Sequence, residues 1–414
     1  MTTTRRTFLR AGAAGLVFST AAGFSPSYAA TTTRKRAYVV VIDGCRPDEL
    51  DSGLTPTLAG LRDAGLRFPR AQSMPVMETI PNHVMMMTGV RPDRSGVPAN
   101  SIYDREMAAV RDMDQPTDIT VTTLIERLNR HGLTTGTVLS KEYLYGVFGE
   151  RATHRWEPQP TLPITEHAPD VFTIEAAITM HQELDPHLMF VNLGDIDRFG
   201  HADLTGTTLR LARRAALADT DAQVGRFVDA LQESGAWDHA VMIVLADHSM
   251  DWSTPGKVIS LSGPLAEDDL LADRVQIADN GGADLLYWTG PDNQREQAVR
   301  RMRAITTEQE GVLAAYDRTA PWLRLGPEAG DVVVFCEAGW RFSDPDPVTS
   351  NPIPGNHGHP ATRSIPFFVA GGHRAVPRRT ASTRMAHTVD VTPTLARFFG
   401  VGAPKGGYDG RALL

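Results

Sequence analysis

The sequence is poor in cysteine and has no excess of basic charge. Only two of its 414 residues are cysteines, so a framework of several disulfides is excluded. Cys45 and Cys336 either form one disulfide or are two separate buried thiols, and both alternatives stay open at this point. The 41 lysines and arginines are outnumbered by 49 aspartates and glutamates, which argues against a general nucleic-acid-binding surface.

Long apolar runs are also lacking after the amino-terminal segment of residues 1–29. This segment has paired Arg5 and Arg6, then an apolar run and small residues before a cleavage point after Ala29. These features are typical of a twin-arginine signal peptide, so we expect a protein exported to the periplasm or the exterior. A membrane anchor is disfavoured because the run is short and rich in glycine and alanine. Removing three arginines and no acid would change the formal net charge from −8 to −11.

What the sequence does contain is an alternation of β-branched runs and helical patterns. Continuous apolar runs, which are typical of strands buried on both faces of a parallel sheet, occupy residues 37–43, 136–140, 188–195, 240–247 and 365–371. Helical patterns lie between them, at residues 55–65, 122–130 and about 207–234, and another follows Asp390. This alternation predicts an α/β fold with a doubly wound, mostly parallel sheet flanked by helices.

The alternation is interrupted between residues 252 and 351. Apolar strand patterns there surround a charged helix, NQREQAVRRMRAI, which indicates a small α+β insertion. We therefore predict one catalytic domain made of residues 36–251 and 352–414, with residues 252–351 as a cap over the carboxyl edge of its sheet. The inward-facing residues of this cap would select the leaving group.

Acids and histidines follow several of the predicted strands. Parallel strands place their carboxyl ends at one edge of a sheet, where sites form in open α/β folds. The candidates are Asp43, Asp197, His201, Asp247, His248, His357 and His359. Asp197 and His201 are four residues apart, so one helical turn would direct both toward the same ion. Imidazole and carboxylate ligands without cysteine favour zinc over magnesium or calcium, and their number suffices for two ions.

Thr79 is the candidate nucleophile because of its place in the stretch ETIPNH. Pro81, taken as a first helical position, marks a helix start whose free N–H groups suit an anion. A threonine hydroxyl attacks poorly at neutral pH, and zinc coordination would lower its pKa. Asn100 carries two side-chain N–H donors for a phosphoryl oxygen. Arg46 and Lys141 lie near these motifs and could contact a substrate, but surface ion pairs are their expected role.

A resemblance to a known family rests on six motifs in their order along the chain. They are VVVIDG, ETIPNH, GVRPDRSGVPANSIYD, DIDRFGH, ADHSM and GNHG, between residues 39 and 358, and the resemblance covers the chain from about residue 37 to residue 414. Together they resemble the alkaline phosphatase superfamily, most closely its type I phosphodiesterase / nucleotide pyrophosphatase family. The resemblance implies an alkaline-phosphatase-like fold and a two-zinc phosphohydrolase that cleaves phosphodiester or pyrophosphate bonds through a phospho-threonine.

The resemblance also implies the role of each candidate residue. One zinc would be held by Asp197, His201 and His357. The other would be held by Asp43, Thr79, Asp247 and His248. Asn100 falls where the family places its phosphate-contacting asparagine, and a small-molecule phosphate ester is the implied partner. Ser249 and His359 depart from the family's usual glycine and aromatic residue, so His359 stays open as an alternative ligand to His357.

Three alternative functions remain at this point. A phosphomonoesterase or a phosphonoacetate-type hydrolase would use the same metal site on a different substrate. A binding protein on the same scaffold is the least favoured alternative, since every ligand position of the motifs is filled. A sulfatase is excluded because no cysteine-based C-x-P-x-R motif stands at the nucleophile position.

Overall fold

A computed structural model describes residues 34–159, 162, 166–202, 210–344 and 354–414. The predicted signal peptide, the start of the predicted helix 207–234 and the end of the predicted cap lie outside these ranges. In the part of the chain that is described, no helix has both the length and the apolar character needed to span a membrane.

The strands and helices follow the predicted alternation along the chain. The strands are β1 (Arg36–Ile42), β2 (Leu66–Arg67), β3 (Ser101–Asp104), β4 (Ala109–Asp112), β5 (Thr135–Leu139), β6 (His154–Trp156), β7 (Leu188–Leu193), β8 (Ala240–Leu245), β9 (Asp251–Trp252), β10 (Val258–Ile259), β11 (Val275–Asp279), β12 (Ala283–Trp288), β13 (Val312–Asp317), β14 (Val332–Cys336), β15 (Arg341–Phe342), β16 (Gly355–Asn356), β17 (Phe367–Ala370) and β18 (Thr380–Ala381). The helices are α1 (Pro56–Ala64), α2 (Thr79–Thr88), α3 (Pro92–Ser95), α4 (Leu124–Arg130), α5 (Glu142–Phe148), α6 (Asp170–Leu184), α7 (Asp195–His201), α8 (Leu211–Glu233), α9 (Ser262–Ala266), α10 (Arg295–Thr307) and α11 (Val391–Phe399).

The main sheet has eight strands in the order β18-β2-β17-β8-β1-β7-β5-β6. From β8 to β6 all neighbours run parallel, whereas β17 runs antiparallel to both β8 and β2. Every residue of β1, β7 and β8 is buried, because helices cover both faces of the sheet. The prediction of a mostly parallel α/β sheet flanked by helices is confirmed. The apolar run at residues 365–371 did not reveal that its strand, β17, runs antiparallel, and the short strands β2, β6 and β18 were not predicted.

A second sheet forms within the predicted insertion. Its four antiparallel strands have the order β11-β12-β14-β13, and α10 packs on it. Leu286, Trp288, Val332 and Met302 belong to its own apolar core, which is separate from the core of the main sheet. The insertion therefore has an α+β architecture of its own.

Asp284 is a buried acid in this second sheet, and it makes the stability of the protein depend on pH. Burial and the charges of Asp279 and Asp344 raise the pKa of Asp284 well above its usual value. The folded protein therefore binds a proton there that the unfolded chain releases, so this stability is present at low pH and lost as the pH rises.

Replacing Asp284 by asparagine should remove this pH dependence. We expect Asp284→Asn to melt at a higher temperature than the wild type at about pH 9, and by a much smaller margin at about pH 5, because the loss begins at the usual aspartate pKa and grows up to the raised pKa. Differential scanning calorimetry measures both, with Glu310→Gln as a control at an exposed acid of the same insertion. Equal shifts at the two pH values would contradict the raised pKa.

The helix α2 begins earlier than predicted. It starts at Thr79, so Pro81 is its third residue and not its first. Proline is tolerated there because the N–H groups of the first turn have no partner within the helix. All ten residues of α2 are buried, including Met85, Met86 and Met87, and Gly89 ends the helix in the left-handed conformation.

The question of the two cysteines is answered by the fold. Cys45 and Cys336 are both free thiols, and both are fully buried. Cys45 packs in the core of the main sheet and Cys336 in that of the insertion.

Candidate active site

Acidic and imidazole side chains lie at one edge of the main sheet, where its parallel strands end. Asp43 follows β1, Asp247 and His248 follow β8, and Asp197 lies in the first turn of α7, directly after β7. Since β1 lies between β7 and β8 and runs parallel to both, these side chains meet at the carboxyl edge of the sheet.

One cluster consists of Asp197, His201 and His357. His201 lies one turn after Asp197 in α7, and its Nε2 is 3.3 Å from Asp197 Oδ1. His357 Nε2 is 4.0 Å from the same oxygen. His201 Nδ1 donates to the Gly355 carbonyl at 2.8 Å, which leaves Nε2 free to bind an ion. The three potential ligand atoms all lie within 4.8 Å of one another.

A second cluster consists of Asp43, Asp247, His248 and Thr79. His248 Nε2 is 3.7 Å from Asp43 Oδ1 and 3.5 Å from Asp247 Oδ2. Thr79 Oγ1 is 3.2 Å from the same nitrogen. All four residues are buried, and His248 Nδ1 donates to the Ser249 carbonyl at 2.9 Å. The hydroxyl of Thr79 therefore lies among the predicted ligands.

The two clusters form one continuous site. Asp43, Asp197 and His248 also have ligand atoms within 4.8 Å of one another, although the motifs assigned them to different ions. The rings of His248 and His357 stack with their centroids 3.7 Å apart. The structure thus brings together all seven side chains that the sequence proposed as metal ligands.

The donor set fits divalent metal ions. Asp43 Oδ1, Asp197 Oδ1 and Asp247 Oδ2 are buried and have no hydrogen-bond partner in the described part of the chain. Unpaired buried carboxylate oxygens are unfavourable, and a bound cation satisfies them. Burial lowers the pKa of His248 to about 4, and burial and the neighbouring His248 lower that of His357. Both imidazoles are therefore neutral, as metal ligands must be.

A lysine lies between the two clusters. Lys141 is fully buried, and its Nζ is 2.8 Å from Asp43 Oδ2 and 2.7 Å from Asp197 Oδ2. Asn192 Nδ2 also donates to Asp43 Oδ2, at 2.9 Å. Burial disfavours the charged amine, but Asp197 and Asp43 raise the pKa of Lys141 above its usual value. Each carboxylate thus gives one oxygen to Lys141 and presents the other to the clusters.

Sequence reasoning missed the roles of Lys141 and Asn192. The expectation of a surface ion pair is wrong for Lys141, whereas Arg46 does pair with Asp48 at 2.9 Å near the surface. Two signals point to them in retrospect. Lys141 stands two residues after the buried strand β5, as Asp247 does after β8, and Asn192 is a polar residue within the apolar run of β7.

Two further histidines lie close to the site and have other partners. His83 approaches Asp43 and Asp247, but its Nδ1 donates to the Thr79 carbonyl at 2.8 Å and its Nε2 lies 3.2 Å from Asn192 Nδ2. His359 Nε2 lies 3.4 Å from Asp251 Oδ2, outside both clusters. The geometry therefore favours His357 over His359 as a ligand.

Asn100 lies beside the start of α2. Its Oδ1 accepts the backbone N–H of Ile80 at 2.9 Å, so one of the free helix N–H groups predicted to suit an anion is already paired. The backbone N–H of Asn100 donates to Glu78 Oε2 at 2.8 Å. Burial raises the pKa of Glu78 to about 8. With Oδ1 engaged, the NH₂ group of Asn100 is the one that can donate to a ligand.

A cavity of about 290 Å³ opens beside these groups. The main domain and the insertion both contribute to its walls. Its lining includes Asn100, Tyr143, His201 and His357 from the former and Asp279 and Asn280 from the latter. Ser101 N donates to Asn280 Oδ1 at 2.8 Å, which ties the insertion to the strand that follows Asn100.

The fold and the site define a class of protein. The mostly parallel sheet, the carboxylate and imidazole clusters at its carboxyl edge and the buried threonine among them agree with what the resemblance to the alkaline phosphatase superfamily implies. The model of the type I phosphodiesterase / nucleotide pyrophosphatase family matches residues 37–360. The chain belongs to this family and is a hydrolase of the phosphodiesterase / nucleotide pyrophosphatase class.

Similar proteins cover most of the chain. The bis(5'-adenosyl)-triphosphatase enpp4 of Xenopus laevis is 23% identical over 397 residues, which are 88% of this chain and 78% of that protein. The human ectonucleotide pyrophosphatase/phosphodiesterase family member 5 is 21% identical over 403 residues, which are 92% of this chain and 78% of that protein.

Solved structures show the same fold. An inactive form of murine ectonucleotide pyrophosphatase / phosphodiesterase 5, in complex with AMP, superposes with a TM-score of 0.73 at 18% identity and covers 91% of this chain and 97% of that one. Phosphonoacetate hydrolase from Sinorhizobium meliloti, in complex with phosphonoformate, superposes with a TM-score of 0.68 at 19% identity. The match covers 87% of this chain and 94% of that one.

Proposed function

We propose that the protein is a two-zinc enzyme that cleaves phosphodiester or pyrophosphate bonds through a phospho-threonine at Thr79. The observation that carries the proposal is the position of Thr79 Oγ1, which lies 3.2 Å from His248 Nε2 within the second cluster. Family membership supports phosphoester hydrolysis as the reaction. The carboxylate and imidazole donors support zinc as the metal.

The two clusters assign the ligands. Asp197, His201 and His357 would hold one ion, and Asp43, Thr79, Asp247 and His248 the other. Zinc bound here would supply Lewis acidity, which neutralises phosphoryl charge and lowers the pKa of a hydroxyl. The protein's own contribution is to keep these donors close together, with Asp43, Asp247 and His248 placed by the ends of β1 and β8, and the others by α2, α7 and the loop after β16.

The residues then act in two displacements. Thr79 Oγ1 releases its proton to solvent water and attacks phosphorus, the bond from phosphorus to the leaving oxygen breaks, and that oxygen departs with its electron pair and takes a proton from water. Water next attacks the phospho-threonine, the bond from phosphorus to Oγ1 breaks, and a proton restores the hydroxyl. The NH₂ group of Asn100 donates to a non-bridging oxygen whose charge grows in each transition state. The amino-terminal end of α2 adds partial positive charge on the same side.

A substrate comparison tests this function. With zinc present, we expect kcat/KM for bis(p-nitrophenyl) phosphate or a dinucleoside polyphosphate to exceed that for p-nitrophenyl phosphate or phosphonoacetate by about tenfold or more. A chelator should abolish turnover, and zinc should restore it. A faster monoester or phosphonoacetate reaction would replace the proposed substrate class with one of the alternatives. Full activity in the chelated enzyme would contradict the metal site itself.

We also propose export of the enzyme by the twin-arginine route, with residues 252–351 as the cap that selects the leaving group. The paired arginines of residues 1–29 support the first proposal. The contribution of Asp279 and Asn280 to the cavity wall supports the second. Fractionation of cells that carry Arg5→Lys and Arg6→Lys together would test export, since the protein should then remain in the cytoplasm.

A further inference from the structure

Lys141 contacts both metal-ligand clusters, and its charge has the same sign as the ions that they would bind. Its ammonium lies 2.8 Å from Asp43 Oδ2 and 2.7 Å from Asp197 Oδ2, one oxygen from each cluster. The other oxygen of each carboxylate has no hydrogen-bond partner in the described part of the chain. Lys141 and both carboxylates are buried, so solvent does not screen these charges.

From this geometry we infer that Lys141 is a positioning residue that acts as an internal counter-ion for the metal site. In metal-free protein its ammonium compensates Asp43 and Asp197, keeps them in place and lets the chain fold before metal arrives. The inference rests on the proposed metal site, since it assigns one carboxylate to each ion.

The physical reason is that buried like charges need a compensating charge. Asp43 has a carboxylate oxygen within 4.8 Å of one from Asp197 and of one from Asp247, and without a cation the repulsion among these acids opposes folding. Lys141 reaches the Oδ2 atoms of Asp43 and Asp197 from the end of β5, whereas the Oδ1 atoms lie nearest to His201, His248 and His357. The carboxylate oxygens that face the histidines therefore stay available to an ion.

Metal ions change the contribution of Lys141. Once divalent cations compensate the carboxylates, the attraction between the carboxylates and the Lys141 ammonium contributes less stability. The ions also repel the ammonium directly. Lys141 should thus stabilise the metal-free protein more than the zinc-loaded protein. A side chain that only filled space would stabilise both forms equally, and one that only oriented the ligands would favour the loaded form.

The experiment compares the zinc-induced rise in melting temperature between variants of the full chain. Lys141→Met keeps most of the side-chain volume and removes the charge, whereas Lys141→Arg keeps the charge and offers two donors. Each protein is melted after chelation and again after addition of zinc chloride. We expect the zinc-induced rise to be larger in Lys141→Met than in the wild type by about 5 °C, and close to the wild type in Lys141→Arg.

The outcomes separate this inference from the proposed function. An equal or smaller rise in Lys141→Met would overturn the counter-ion role while leaving the metal site standing. No rise in the wild type would overturn both. Folding of Lys141→Met only in the presence of zinc would support the inference in its strongest form. If that variant does not fold in either condition, Lys141→Gln is compared by the same criterion.

Discussion

Replacing Thr79 by alanine is expected to lower kcat for phosphodiester hydrolysis by about 10⁴-fold or more, because removing a nucleophile stops the covalent route. Thr79 Oγ1 is the hydroxyl that lies among the clustered ligands, 3.2 Å from His248 Nε2. The fold should survive, since the change removes only a hydroxyl and a methyl group at the start of α2. Steady-state kinetics, circular dichroism and zinc analysis measure the three properties on one preparation.

Thr88 provides the matched control. It lies in the same helix, is equally buried, and donates its hydroxyl to the Val84 carbonyl at 2.7 Å. Thr88→Ala should therefore lose some stability and keep kcat. Thr79→Ser retains a hydroxyl and should retain part of the activity. Turnover of Thr79→Ala close to that of the wild type would reject the phospho-threonine, and an equal loss in Thr88→Ala would assign the effect to the helix.

Replacing His357 by alanine is expected to lower kcat/KM by at least about 100-fold, since even outer-shell partners of a metal cost up to that factor. His357 Nε2 lies 4.0 Å from Asp197 Oδ1, and its ring stacks on His248. The loss of one of three ligands should also release about one of the two proposed zinc ions. Metal analysis after dialysis against a weak chelator measures that loss independently of turnover.

A variant at His359 tests which of the two histidines of the GNHGH loop is the metal ligand. It is fully buried and pairs with Asp251, outside the clusters. His359→Gln should lower the melting temperature and leave the zinc content at its wild-type value. The opposite pattern, with zinc lost from His359→Gln and retained in His357→Ala, would make His359 the ligand.

Much of the fold was predictable because burial on both faces of a parallel sheet leaves a direct mark on the sequence. β1, β7 and β8 are continuous apolar runs, and each was assigned within a few residues. Which strands lie next to one another in the sheet was not predictable. β1 lies between β7 and β8 although some 145 residues separate it from the nearer of them. Strand order depends on crossover connections and helix packing, which local patterns do not encode.

In the candidate site, too, some residues were predictable from the sequence and others were not. Asp43, Asp197, Asp247 and His248 stand out because polar residues directly after apolar runs need a reason. Lys141 did not stand out, because a single lysine after a strand is usually exposed to solvent. Its role depends on two carboxylates, 98 residues before it and 56 residues after it in the chain. No local pattern connects the three.

The sequence by itself determined which chemistry is available: a threonine hydroxyl, carboxylates, imidazoles and an asparagine amide, most of them at the ends of strands. The physical reason is that strand burial and side-chain chemistry are properties of short segments. Only the tertiary structure decided that the clusters share one site, that His357 and not His359 approaches Asp197, and that Lys141 lies between Asp43 and Asp197. Those facts depend on the distances between segments that are far apart in the chain. The packing of the helices and strands determines these distances.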